Sequence, residues 1–300
     1  MPVDSLLLIL PGIIWGASFL FIAEGLDALR PNGVTFVRVA IGFFALSLIP
    51  AARRPLQSAD RTKTVVLGVL WMAFPLSMFP FAEQHVSSAL TGMLNGATPL
   101  FAAAVASGLA RRVPSTAVAF GLIVGFLGAT LIAMPGIMGP GAATGQTAGV
   151  LMILAALVSY GFAINLARPL QQRNGALPVI WRALGVALVL TAPLGVPAVL
   201  DAHWTLRAAA SLAALGVFGT CVAYVLSATA AGRISATAAS ATNFIVPVVA
   251  LALGVGLRHE HVAWLSIAGA GVCLTGATLI RRARVTDGRA DTAVAVILTS

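Results

Sequence analysis

Long runs of apolar residues, separated by short connectors that carry most of the charges, cover the greater part of the chain. A run of about 18 or more such residues is long enough to cross a bilayer as an α-helix. Each half of the chain contains five such runs, which predicts ten membrane-spanning helices. The predicted spans are residues 5–23, 33–50, 64–82, 86–109, 115–134, 148–167, 177–200, 208–231, 234–257 and 262–280.

The second half repeats polar features of the first half at a shift of 148 residues. Asn95 and Pro99 in the fourth run match Asn243 and Pro247 in the ninth run. Proline cannot donate to the carbonyl four residues earlier, so each proline predicts a helix break that frees the asparagine's carbonyl for a solute. Polar groups at this depth must find protein partners or line a wet cavity. The pair predicts a transporter's binding site, with a simple packing kink as the alternative.

The repeat extends to the glycine-rich helices. GATLI begins at residue 128 and recurs letter for letter at residue 276, on the same shift. Because each half has an odd number of helices, successive copies enter the membrane from opposite sides. We therefore predict an all-α integral membrane protein made of two inverted five-helix repeats. The predicted parts are a first repeat (1–134), a connector (135–147), a second repeat (148–281) and a loosely ordered cytoplasmic tail (282–300).

Glycine spacing predicts where helices approach one another closely. Pairs of glycines four residues apart form small-xxx-small patterns, which let helix backbones come near each other within a membrane. These pairs are Gly12 with Gly16, Gly92 with Gly96, and Gly121 with Gly125.

Composition and charge support a membrane location. The chain is 59% hydrophobic and 9% charged, whereas soluble domains are about a quarter charged. Its net charge of +9 does not predict a nucleic-acid partner, because the basic residues lie in connectors between apolar runs. Thirteen of them fall on the side that holds both termini, and three on the other side. This asymmetry predicts a multi-pass protein of the cell membrane with both termini in the cytoplasm.

Arg38 and Arg182 are the only charged residues well inside predicted helices. An arginine at membrane depth is costly and often functional. Each is a candidate receptor for a carboxylate or phosphate of a solute, and the alternative is that each extends to the nearer interface. Glu24, at the end of the first run, is a predicted partner of Arg38 that would favour a structural role.

Aromatic and hydroxyl side chains near mid-helix complete the candidate site. Uncharged donors beside aromatic walls suit a small organic solute with a polar head and an apolar body, although packing between helices is the alternative. Together with the two asparagines and the two arginines, the candidate substrate-binding residues are Trp15, Ser18, Trp71, Tyr160 and Tyr224.

The remaining reactive residues do not predict an enzyme. None of the nine acids lies mid-helix, the four histidines lie in connectors, and two cysteines in apolar runs imply no disulfide framework. We predict a solute transporter that works by alternating access, without cofactor or metal, and the absence of mid-helix acids favours facilitative over proton-coupled transport. A membrane-embedded enzyme acting on a lipid-linked substrate and a passive structural protein are the alternatives.

Several residues carry a resemblance to a known family. They are Trp15 and Gly16, Ser18 and Phe19, Arg38, Pro99 and Pro247, and the segments GFLGATLIA and GAGVCLTGATLI. With them, the chain resembles the drug/metabolite transporter superfamily, in particular its bacterial ten-helix family with the EamA repeat.

The resemblance implies a solute carrier, which typically exports amino acids, other metabolites or toxic compounds from the bacterial cytoplasm. Family members usually carry a glutamate after the fourth helix of each repeat. Glu260 matches that position in the second half, whereas Arg112 stands at the equivalent place in the first.

Overall fold

The computed structural model describes residues 2–110, 113–138, 144–233 and 240–299, and the described chain is helical without strands. Eight helical stretches in the described part of the chain are long and apolar enough to cross a membrane, three of which join shorter helices named below, and two shorter apolar helices accompany them. The predicted all-α membrane protein is thus confirmed. The start of the ninth predicted span, the middle of the predicted connector and Arg112 lie outside the described residues.

The helices follow one another along the chain with short connections. They are α1 Pro2–Leu26, α2 Pro31–Ser47, α3 Arg61–Leu67, α4 Phe74–Glu83, α5 Ser88–Asn95, α6 Thr98–Ala110, α7 Thr116–Met138, α8 Thr144–Asn174, α9 Ala176–Leu200, α10 Leu206–Ala214, α11 Ala223–Arg233, α12 Ile245–Arg258 and α13 Trp264–Thr299. A first π segment, Gly68–Ala73, joins α3 to α4, and a second, Leu215–Val222, joins α10 to α11. Short 3-10 turns occupy Pro50–Arg53, Ser58–Asp60 and Ser240–Phe244.

Helix geometry changes beside both asparagine–proline pairs. α5 ends at Asn95, and α6 begins three residues later with Pro99 in its first turn. In the second half, Asn243 lies in a 3-10 turn and Pro247 lies in the first turn of α12. A proline is tolerated in a first turn because the N–H groups there have no helical acceptor.

Glycines bring the backbones of α7 and α13 together in antiparallel packing, so each GATLI segment lies against the glycine-containing stretch that precedes the other one. A Cβ atom built on Gly276 would lie 2.6 Å from the carbonyl oxygen of Gly121, and one on Gly128 would lie 2.6 Å from the Cα atom of Cys273. These distances leave no room for a side chain. Small residues at such contacts are what allows helices to pack closely within a membrane.

α12 is the helix on which several first-half helices meet. Gly12 and Gly16 of α1 lie directly against it, and so do Gly92 of α5 and the adjacent Gly96. The close approach predicted from glycine spacing is therefore confirmed at these positions. Elsewhere α2 packs on α9, and α8 packs on α4 and α6.

The C-terminal segment differs from the sequence prediction. The loosely ordered tail was expected from residue 282, but α13 continues from Trp264 to Thr299. Residues 281–299 contain no proline, one glycine and several alanines and arginines. Because alanine and arginine favour helices, nothing in this sequence ends the helix at the predicted boundary.

Replacing Gly276 by alanine should destabilise the bundle, because its Cβ would meet the backbone of α7. Overpacking of this kind costs about 1–3 kcal/mol, which thermal unfolding of the purified protein would detect. Gly271 on the same helix is the matched control, since a Cβ there meets no heavy atom within 4 Å. Equal melting temperatures for the two alanine variants would contradict the packing argument.

Candidate functional site

A cavity of about 570 Å³ lies between the helices of both halves. Its volume is within the range of small-molecule sites. Arg182 is not among the described residues that line it. The other candidate substrate-binding residues all line it, namely Trp15, Ser18, Arg38, Trp71, Asn95, Tyr160, Tyr224 and Asn243. Their contact with a solute stays a prediction.

The cavity reaches the surface at the end of the bundle where α8 finishes and α9 begins, which we call the mouth. Of the described lining residues, Arg168 and Gln172 are exposed, and both lie near the end of α8. α8 starts at the opposite end, where Gly145 lies against His85. We call this opposite end, where α1 and α12 finish, the closed end.

Arg38 on α2 is buried, with 5% of its surface exposed, and lines the cavity. Its Nε donates to Thr220 Oγ1 at 3.0 Å, and the Thr220 hydroxyl donates to the carbonyl of Leu215 at 3.2 Å. No carboxylate in the described part of the chain forms an ion pair with it. The terminal guanidinium nitrogens have no hydrogen-bond partner among the described residues, and Thr220, which the sequence did not indicate, holds the Nε atom.

The predicted pair between Arg38 and Glu24 is not formed. Glu24 accepts a hydrogen bond from Arg258 Nη1 at 2.9 Å and also pairs with Arg207. Glu24 lies at the closed end in the last turn of α1. Arg38 lies seven residues into α2, about 10 Å further along the bundle at 1.5 Å per residue. That separation places the two charges at different depths.

Three aromatic rings form one wall of the cavity. The Tyr224 ring centroid lies 5.5 Å from that of Trp15 and 5.5 Å from that of Trp71, with interplanar angles of 69° and 89°. Edge-to-face contacts of this kind stabilise one arrangement of the rings. The faces of tryptophan and tyrosine attract cations as well as apolar groups, so the wall suits both an ammonium group and an apolar body.

Each π segment gives a backbone carbonyl to a neighbouring helix. Ser159 Oγ of α8 donates to the carbonyl of Leu70 at 2.7 Å, and Trp15 Nε1 of α1 donates to the carbonyl of Gly219 at 3.1 Å. A π turn changes the regular hydrogen-bond ladder and is often found at functional sites. Helical periodicity in the sequence does not reveal such a turn, so both segments were missed.

The asparagine carbonyl freed by Pro99 already accepts one hydrogen bond within the protein, and its contact with a solute stays a prediction. Thr98 Oγ1 donates to the main-chain oxygen of Asn95 at 2.6 Å and lies 3.3 Å from its Oδ1. Polar backbone atoms within a membrane find partners inside the protein wherever they can. The amide nitrogen of Asn95, which donates to no described residue, is therefore the group of this residue most available to the cavity.

Arg182 lies in a different setting from Arg38. Its Nη1 donates to the carbonyl of Pro178 at 3.2 Å, and its guanidinium carbon lies 5.2 Å from the centre of the Trp181 ring. These contacts stabilise the start of α9. The mouth residues Arg168, Gln171 and Gln172 were also missed, because the predicted sixth span ends at residue 167 whereas α8 continues to Asn174.

Two phenylalanines form the floor of the cavity toward the closed end. The buried rings of Phe19 and Phe79 meet edge to face, with centroids 5.6 Å apart. Beyond this floor, Arg258 Nη1 pairs with Glu24 and also with Asp27 Oδ2 at 3.1 Å, which ties α12 to α1. Apolar contact and ion pairs thus close the bundle at this end.

Glu260 adds a second tie at the closed end. Its carboxylate accepts hydrogen bonds from the backbone N–H groups of Ser88 and Ala89, at 3.0 and 2.9 Å, and from the Ser88 hydroxyl at 2.8 Å. The positive end of a helix dipole favours a carboxylate at this position. The first-half counterpart of Glu260, Arg112, lies outside the described residues, so a matching tie there is not described.

Apolar helices long enough to cross a membrane, packed around a cavity of small-molecule size that opens at one end, are typical of a membrane transporter. The chain belongs to the EamA-like transporter family, whose model matches residues 4–134 and again residues 147–282. This family is part of the drug/metabolite transporter superfamily.

Several relatives are similar over nearly their whole length. A probable terminal-alkyne amino-acid exporter of Streptantibioticus cattleyicolor is 27% identical over 282 residues, which cover 92% of each chain. The uncharacterised transporter YdfC of Bacillus subtilis is 26% identical over 87% of each chain. The uncharacterised inner membrane transporter YedA of Escherichia coli is 24% identical over 89% of this chain and 87% of its own.

A solved crystal structure shares the fold at 15% sequence identity. Its TM-score is 0.65, and the match covers 92% of this chain and 95% of that one.

Replacing Asn95 or Asn243 by leucine should abolish or sharply weaken transport while leaving the protein in the membrane. Each change removes one polar group from the cavity but keeps the apolar helix that crosses the bilayer. Flux into proteoliposomes is measured beside membrane insertion and monodispersity. Misfolding of both variants would indicate that the amides bond helix to helix, and full activity of both would eliminate them from the site.

Proposed function

We propose that the protein exports small zwitterionic or anionic solutes with an apolar body, such as amino acids, from the cytoplasm. The observation that supports this proposal is the charge of the residues that line the cavity. Its described lining includes the cations Arg38 and Arg168 and no aspartate or glutamate. Like charges disfavour one another in a site of low dielectric, so cationic compounds are the class that this cavity rejects.

The geometry of the cavity supports a definite pose for such a solute. A carboxylate can take two parallel hydrogen bonds from the free nitrogens of Arg38, which Thr220 holds in place from the other side. An ammonium group and an apolar body can then rest against the faces of Trp15, Trp71 and Tyr224. The pose requires no catalytic group, and an enzyme acting on a lipid-linked substrate would need an acid and a base at this depth.

The relative from Streptantibioticus supports the amino-acid class. Its name describes an exporter of terminal-alkyne amino acids, which are zwitterions with an apolar side chain. This is the combination that the arginine and the aromatic wall favour.

Helix packing supports alternating access between two inverted repeats. α7 packs on α13 and α2 packs on α9, which pairs the predicted fifth and second helices of each half. The first helix of each half also packs on the fourth helix of the other half, since α1 contacts α12 and α8 contacts α6. Such an exchange is expected of a pseudo-twofold axis. In this arrangement ten helices form a first repeat 1–134 and a second repeat 148–281, joined by the connector 135–147 and followed by residues 282–300.

The distribution of basic residues supports a cytoplasmic mouth. Arg168 and Arg173 lie at the mouth, on the side assigned 13 basic residues, whereas Arg207 and Arg258 lie at the closed end, on the side assigned three. The positive-inside rule places the richer side, with both termini, in the cytoplasm. The cavity would then receive its solute from the cytoplasm, as an exporter requires.

Replacing Arg38 by methionine should abolish transport of amino acids, whereas replacing Arg182 by methionine should leave it largely intact. Both changes remove one intramembrane charge, but only the first removes it from the cavity. Proteoliposome flux of L-leucine and of a terminal-alkyne amino acid tests this, with a lipophilic quaternary ammonium compound as comparator. Transport of that cation in preference to both amino acids would overturn the proposed solute class.

Cysteine labelling tests the orientation. Cys221 and Cys273 are buried, so a cysteine placed at exposed Gln172, at the mouth, or at exposed Trp204, at the other end, should dominate labelling. In intact cells, a membrane-impermeant maleimide should label only the Trp204→Cys variant, and permeabilised cells should label both. The reverse pattern in intact cells would place the mouth outside.

A further inference from the structure

A second cavity, of about 490 Å³, lies at the closed end behind the phenylalanine floor. Residues from α1, α4, α5 and α12 or the turns beside them line it, including exposed Asp27 and Gln84. The cavity therefore meets the surface at the end opposite the mouth. It shares none of its described lining residues with the main cavity.

Glu83 extends into this second cavity from the last turn of α4. Both of its carboxylate oxygens are buried, and neither has a hydrogen-bond partner among the described residues. Buried polar groups almost always have partners, so this carboxyl needs an explanation. Glu83 also lies four residues after Phe79, on the same helix face, which places it directly beyond the floor of the main cavity.

The other charged residues that line the second cavity already have partners. Glu24 and Asp27 share Arg258, which therefore has its guanidinium committed to α1. Glu260 accepts three hydrogen bonds at the start of α5.

Glu83 forms no ion pair with any residue in the described part of the chain. Glu260 repels its negative charge, and Arg258 and Arg38 attract it from a distance without pairing with it. His85, two residues further along, is exposed at the surface.

Burying an ionised carboxylate without a partner costs far more than burying the neutral acid. We infer that the second cavity is a proton-binding site, in which Glu83 carries the proton while the closed end stays closed. A metal ion fits the site less well, since the Arg258 guanidinium lines it and the described residues contain no group of three potential metal ligands.

The inference links the proton to the state of the closed end. When α12 separates from α1 and α5, the buried carboxyl oxygens of Glu83 become exposed to the water at this end, the O–H bond breaks and the proton passes to that water. Closing the end again requires the carboxyl to take up a proton. The expectation of facilitative transport relied on the absence of acids at mid-helix, whereas Glu83 lies at a helix end yet has both carboxylate oxygens buried. The proton site does not depend on which solute the main cavity binds.

Infrared spectroscopy of the full-length protein in lipid membranes tests the site directly, without any solute. The native protein should show the carbonyl stretch of a protonated carboxyl group at neutral pH, and this band should disappear on raising the pH. Glu83→Gln should lack the titrating band, and Asp201→Asn, which changes an exposed acid at the same end, should retain it. A titrating band that persists in Glu83→Gln would overturn the inference.

A second measurement needs no change at Glu83. A cysteine at Val86, which is 9% exposed and lines the second cavity, should react with a maleimide faster as rising pH opens the closed end. The Gln172→Cys variant at the mouth provides the reference, and each rate is divided by the measured thiolate fraction of its own cysteine, because burial changes the pKa of a thiol. A rising ratio of the corrected Val86→Cys rate to the corrected reference rate supports the link between proton and closure, and a ratio independent of pH overturns it.

Discussion

Close contact between helix backbones, made possible by glycine, is the constraint on which this structure depends. Within a membrane, apolar side chains gain little by leaving lipid for protein, so helices associate where their surfaces fit closely. Gly276 and Gly128 provide that fit between α7 and α13, and Gly16 and Gly92 provide it on α12. With these contacts concentrated along particular helix pairs, the helices leave an open volume at the centre of the bundle.

The chemistry of the central cavity depends on the hydrogen bond that positions Arg38. A threonine hydroxyl positions the guanidinium without neutralising it, whereas an ion pair with a carboxylate would have cancelled its charge. A charge retained in this way must be solvated by water or by a ligand, since lipid cannot provide partners. Arg182 shows the contrast, because a backbone carbonyl and a tryptophan face satisfy it outside the cavity.

The pattern of apolar runs along the chain predicted most of the helices. It could not predict which residues of neighbouring helices lie at the same depth in the bundle. Mid-helix position pointed to Trp15 and Tyr224, and the internal repeat pointed to Asn95; all three line one cavity because central residues of several helices converge there. The partner of Glu24 could not be predicted, since it depends on how far α1 and α12 slide past each other. The burial of the Glu83 carboxylate could not be predicted either, because its position at a helix end resembles that of an ordinary surface acid.

The two π segments show how each half can change shape without breaking a helix. A π turn holds one residue more than an α turn. Conversion to α geometry would move the residues beyond it by about 1.5 Å along the axis and rotate them by about 100°. Trp15 and Ser159 brace the wide turns by bonding to their carbonyls. Each π segment thus keeps one extra residue in a widened turn beside the cavity, and the hydrogen bond from Trp15 or Ser159 stabilises that turn.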